Sequence, residues 1–122
     1  MRILIIHEDN VMANELARQI TQMGHDVDVT SEHQTALTHL KEQRYDTVIS
    51  EFWSFSINGM GIVYTVKEST PSTKIVIIRD KNQSVSHSLE LVDKIMVRPS
   101  PRRFTQDEIK SMVFWQTVII KV

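Results

Sequence analysis

The chain of 122 residues has no cysteine. A disulfide framework and a thiolate metal site are therefore excluded, and a reducing compartment fits. Charge of one sign is also missing: 14 Lys and Arg against 15 Asp and Glu leave a formal net charge of -1. Such a balance announces neither a nucleic-acid surface nor an acidic tail. No apolar run approaches the roughly 18 residues of a membrane span. The start, MRILIIHED, turns acidic too early for a secretory signal. Repeats, linkers and low-complexity stretches are absent as well. What remains is 41% apolar and 24% charged, ordinary for a globular protein and long enough to bury one core. The expectation is a single cytoplasmic domain spanning 1–122.

Hydrophobic periodicity divides the chain. Arg2 to Ile6 is a short β-branched apolar run, the pattern of a strand buried on both faces. His7-Glu8-Asp9-Asn10 is a polar break rich in helix N-cap residues. Met12, Leu16, Ile20 and Met23 then recur at helical spacing, and Gly24 is a natural terminator. Val27 to Val29 reads as a second strand. Ser31 with Gln34 forms a capping box for a helix through Ala36, Leu37 and Leu40. Thr47 to Ser50 is a third strand, Glu51 to Asn58 a loop, and Gly59 to Glu68 a helix with Ile62, Val63 and Val66 inward. Lys74 to Ile78 is a fourth strand, Asn82 to Leu91 a weakly patterned helix, and Ile95 to Val97 a fifth strand. Thr105 with Glu108 is a second capping box, opening a last helix through Ile109, Met112, Val113 and Trp115.

Five strands alternating with five helical segments predict a three-layer α/β domain, a doubly wound five-stranded parallel sheet. In such sheets working residues lie in loops beyond the carboxyl ends of the strands, at the switch in strand order. His7-Glu8-Asp9, Glu51 to Trp53, Arg79-Asp80 and Arg98-Pro99 are the positions this rule selects.

Those stations, in that order, resemble the receiver domain of two-component response regulators, a flavodoxin-like, CheY-like fold. RILII followed by HED is similar to the family's first strand and acidic pair, and DTVISE to the strand that ends in the phosphoaccepting aspartate. INGMG resembles the turn after it, KIVIIRD the strand that ends in a hydroxyl residue, and VDKIMVRPS the last strand with its Lys-Pro. The resemblance covers nearly the whole chain. It departs at the positions that carry phosphoryl chemistry. Glu51 stands for the aspartate, and His7 and Glu8 for the pair of acidic residues that bind Mg²⁺. Arg79 replaces the hydroxyl residue, Asp80 the small residue after it, Arg98 the lysine, and Ile95 an aromatic switch residue. This is the pattern of an atypical, or pseudo-, receiver with a degenerate phosphoacceptor pocket made of His7, Glu8, Glu51, Arg79 and Arg98.

The chemistry of those substitutions is readable. Glutamate reaches about 1.5 Å further than aspartate, and a misplacement near 1 Å can cost about 10²-fold in an in-line transfer. Glu51 has two compatible readings: an ion pair with Arg98 or Arg79, and a partial mimic of the phosphorylated state. Glu8 and Glu51 against Arg79 and Arg98, with a neutral His7, leave the pocket near zero charge. Mg²⁺ wants carboxylate oxygens, and arginine is a permanent counter-ion, so no Mg²⁺ is expected at micromolar affinity. His7 with Glu8 and Glu51 also raises a zinc site, but adjacent residues at a strand end point to opposite sides. A polar rim histidine is the competing reading. His25, His33, His39 and His87 have no ligand spacing and read as solvated.

Phe52, Trp53 and Phe55 read either as a lid on the pocket or as an aromatic anchor for a partner. RPSPRRF, 98 to 104, reads as a solvated loop, its three arginines on a neutral chain being weak evidence for nucleic acid. MVFWQTVIIKV, 112 to 122, is unusually apolar. Ordinary packing of a last helix competes there with a self-association surface. The interaction surface implied is Ile95, Phe114, Trp115 and Ile119, on the output and dimer face that the resemblance assigns to this family.

The function expected is a phosphorylation-independent regulatory module that binds protein partners in a signalling pathway and forms a homodimer. It is not expected to be an enzyme or to need a cofactor, nucleic acid or membrane. Rival readings are a conventional phosphoacceptor and the first domain of a larger DNA-binding regulator. A flavodoxin-type cofactor site would need a Ser/Thr/Gly-rich phosphate loop where HEDN stands.

Overall fold

A computed structural model describes residues 1–7, 9–51, 58–79, 92–97 and 103–114, with the backbone alone for 33, 51 and 58–62. The described elements run β1 (Arg2–Ile6), α1 (Asn10–Gln22), β2 (Asp26–Thr30), α2 (His33–Glu42), β3 (Thr47–Glu51), α3 (Asn58–Ser69), β4 (Lys74–Arg79), β5 (Lys94–Val97) and α4 (Gln106–Val113). The five strands form one sheet in the order β2-β1-β3-β4-β5, and every pairing is parallel.

Alternation along the strands divides the core between the two faces. Ile3, Ile5, Ile49, Val76 and Ile78 face α1 and α4, where they meet Ala13, Leu16, Ile20, Ile109, Met112 and Val113. Leu4, Ile6, Val48, Ile75 and Ile77 face the other way and pack with Ala36, Val63, Val66 and Tyr45. The sheet is thus covered on both sides, and strands such as RILII and KIVIIR can be apolar on both faces. This is the doubly wound α/β architecture expected.

Helix ends follow local chemistry. The Asp9 carboxylate accepts from the N–H groups of Val11 and Met12 at 3.0 and 3.2 Å, capping α1. Gly24, at φ 93, takes the left-handed conformation that terminates it. The Thr105–Glu108 capping box at α4 is present in both directions. The predicted box at Ser31 and Gln34 is not. Glu32 is the N-cap of α2 and makes no side-chain cap bond. The Thr30 hydroxyl accepts from the Glu32 N–H at 3.2 Å, so a threonine outside the motif organises the turn. α4 stops at Val113, short of the predicted extent, because Phe114 is extended. The inward stripe of α1 is Ala13, Leu16 and Ile20, with Met12 only partly covered. The helix predicted over 82–91, the aromatic cluster at Phe52, Trp53 and Phe55, and the tail with Trp115 and Ile119 lie outside the described residues.

Candidate functional site

In a parallel sheet all carboxyl ends share one edge. β1 ends at Ile6, which pairs with Ser50, so His7 and Glu51 leave neighbouring strands side by side. Glu51 pairs in turn with Ile78, and Arg79 with Val97, the last residue of β5. β1 lies between β2 and β3, so chain order reverses at β1/β3, where such folds place their sites. His7, Glu51 and Arg79 therefore stand at the ends of the three central strands. Glu8 and Arg98 lie outside the described residues.

His7 departs from the predicted rim histidine: it is 4% exposed. Its backbone N–H donates to the Thr30 carbonyl at 3.0 Å. Its ring Nδ1 accepts from the Asp9 N–H at 2.9 Å. A nitrogen that accepts carries no proton, so the ring is the neutral Nε2–H tautomer. A buried neutral imidazole thus occupies the first position after β1. Asp9, the remaining described acid of the HED triplet, is committed to the cap of α1. The hard cation Mg²⁺ prefers carboxylate or water oxygens; at the first position after β1, His7 offers nitrogen instead, and one Asp9 oxygen is engaged with backbone N–H groups. Among the described residues no group of three His, Asp or Glu could hold a metal.

A second polar cluster, which the hydrophobic pattern gave no sign of, lies near the amino end of β1. The Tyr45 hydroxyl donates to Asp28 Oδ2 at 2.6 Å and lies 3.4 Å from His39 Nδ1. Arg2 donates to the same carboxylate at 3.2 Å and stacks over the Tyr45 ring, 5.8 Å from its centroid. Burial, then the Asp28 bond, pushes the Tyr45 hydroxyl up to about 12. The Tyr45 bond, with Arg2 beside it, holds the Asp28 carboxyl below its ordinary range. His39 is therefore not the solvated residue expected, and neither is His25, which is half-buried against Phe114.

The face predicted for interaction is partly described. β5 is an edge strand, with Ile95 36% and Val97 42% exposed. Lys94 Nζ donates to the Ser111 carbonyl at 2.6 Å, tying β5 to α4. Phe114, at the end of α4, is 45% exposed. No helix among the described residues is long and apolar enough to cross a membrane.

Comparison with solved structures agrees with this architecture. The response regulator TrrA of Thermotoga maritima, solved in complex with Mg²⁺-BeF, is 22% identical with a TM-score of 0.73, over 92% of this chain and 95% of that one. An orphan response regulator of H. pylori is 21% identical with a TM-score of 0.74, over 91% and 92% of the two chains. A chain in the complex of the histidine kinase ThkA with TrrA is 21% identical with a TM-score of 0.75, over 92% and 94%. At these identities the likeness is one of fold. No curated protein matches the chain. The sequence pattern of the response regulator receiver domain matches residues 3–113, and the chain belongs to that family.

Proposed function

We propose that this receiver domain is a phosphorylation-independent regulatory module that acts by binding other signalling proteins and a second copy of itself. The observation that carries the reading is the carboxyl end of β3, which closes on Glu51 beside a buried, neutral His7. Phosphoryl transfer depends on placement and on charge neutralised by a metal. A longer carboxylate beside an imidazole that replaces an acidic residue supplies neither. Arg79, ending β4, cannot lose its charge and stands in for the metal's charge. The domain then has binding, not catalysis, as its task, with the exposed Ile95 and Phe114 on the contact face. Its partners belong to the same kind of signalling pathway as the kinase ThkA, which is bound to TrrA in the solved complex. The reading places 1–122 as one cytoplasmic domain without a cofactor. Incubation with acetyl phosphate and Mg²⁺, followed by intact-mass measurement, tests it. An unchanged mass is expected, and a stoichiometric, base-labile phosphate adduct would establish a conventional phosphoacceptor instead.

A further inference from the structure

The start of β1, the turn after α1 and the end of α4 meet at one side chain, His25. The turn is made by Gly24, whose positive φ of 93 lets the chain reverse. The Asp26 N–H then donates to the Met1 carbonyl at 3.0 Å, which brings Met1 beside the imidazole. The Met1 amino group lies 3.4 Å from His25 Nδ1. An ammonium can only donate, so Nδ1 accepts and the ring proton sits on Nε2. That Nε2 is buried and has no hydrogen-bond partner among the described residues. The ring meets Phe114 edge-on, with centroids 5.3 Å apart and planes at 63°. Phe114 is the C-cap of α4, and its N–H donates to the Lys110 carbonyl at 2.9 Å.

Among the described residues, the charged groups around this ring are few. Met1, just before β1, presents its ammonium. The turn presents Met23 and Gly24, which carry no charge. β2 carries the exposed Asp26, which the described contacts join to the terminus only through its backbone. α4 presents the Phe114 ring, with the exposed Lys110 one turn back. Among the described residues no carboxylate bonds to the imidazole, so nothing there compensates a charge on it.

We propose that His25 is a proton-operated latch, fastening the end of α4 to the start of β1 when neutral and releasing Phe114 when protonated. The neutral ring fits both neighbours. A proton on Nδ1 removes the acceptor that the ammonium needs and sets two positive charges 3.4 Å apart. A charge on the ring is also poorly solvated where it stands. Burial first, and the terminal ammonium second, hold His25 below its ordinary value. The sign follows: the released state binds the proton more tightly than the latched state. The latch is therefore closed above the ordinary histidine value of about 6.5, and opens as pH falls below it towards the latched value.

Amide hydrogen exchange on the untagged full chain, followed by NMR alongside the His25 ring titration, tests this. From about pH 7 to about pH 5, the protection of the Phe114 amide should fall about threefold or more relative to that of Met112. The size of the fall reports how much more tightly the released ring binds the proton than the latched ring does. The fall should share the midpoint of the His25 titration. In His25→Gln, whose amide oxygen can still accept from the ammonium, protection should not depend on pH. In Phe114→Leu the His25 titration should move up towards its ordinary value, because coupling is reciprocal. Phe114 protection that stays flat while His25 titrates overturns the latch, as does an unchanged fall in His25→Gln. If His25→Gln does not fold, the shared midpoint in the wild-type chain decides.

Discussion

The Tyr45 hydroxyl donates to the Asp28 carboxylate at 2.6 Å, from a residue that is 1% exposed. The two are seventeen positions apart in the chain, and the bond joins the strand β2 to the segment entering β3. Removing the donor leaves Asp28 with Arg2 alone among its described side-chain partners. Tyr45→Phe keeps the ring in the core and should cost about 1.5–3 kcal/mol, the range for a hydrogen bond to a charged group. Urea unfolding at neutral pH measures it.

The same pair sets two limbs of the pH dependence. The Asp28 carboxyl is held below its ordinary value, chiefly by Tyr45. Its contribution is present above the unfolded value of 3.8 and is lost as pH falls through the lower folded value. Tyr45 is raised from 10.0 to about 12, so its contribution is complete below 10 and is lost as pH rises towards 12. Stability measured against pH should decline over that alkaline window in the wild type. In Tyr45→Phe this decline should be absent, and the acid decline should be shallower.

Thr105 should be worth about 1 kcal/mol, because its hydroxyl and the Glu108 carboxylate satisfy each other's backbone N–H groups at 3.1 and 2.8 Å. Thr105→Ala should lower the melting temperature by a few degrees, roughly 3–6 °C for a domain of this size. Thr105→Ser should restore most of it. Equal melting of wild type and Thr105→Ala would mean that α4 is held by packing alone.

Ile109 and Ile95 offer a contrast between core and face. Ile109 is fully buried between α4 and the sheet, so Ile109→Ala should cost about 2–5 kcal/mol. Ile95 is 36% exposed on the edge strand, and Ile95→Ala should cost less than about 1.5 kcal/mol. Chemical denaturation of the two variants separates them.

Self-association is expected without any chemical trigger. Sedimentation equilibrium at tens of micromolar should show a dimer with two-fold symmetry, the commonest arrangement of homo-oligomers. Ile95→Glu combined with Ile119→Glu should give a folded monomer. Ile95 lies on the edge strand β5, apart from the His25 contact with Met1 and Phe114. A wild-type monomer at this concentration would refute self-association and leave the face to a different protein.

The strands and the site's address could be read from the residues, because both depend on patterns a few residues long. RILII and KIVII are apolar on both faces, which only a sheet covered on both sides accommodates, and parallel strands put His7, Glu51 and Arg79 at one edge. The Thr105 cap was equally local. Ser31 and Gln34 carry the same motif, yet Thr30 takes the backbone N–H that starts α2. There two local solutions compete, and the surrounding packing chooses between them. His7 shows the same limit at the site. Its place after β1 was legible, but its burial and its proton depend on Asp9 turning an N–H back onto the ring. The Tyr45–Asp28 bond and the meeting of Met1, His25 and Phe114 had no signal in the pattern at all. Their partners come from separate elements, and hydrophobic periodicity records which face a residue takes, not which distant polar group it meets there. Only docking the helices and strands against each other fixes those distances, and with them the protonation of each group.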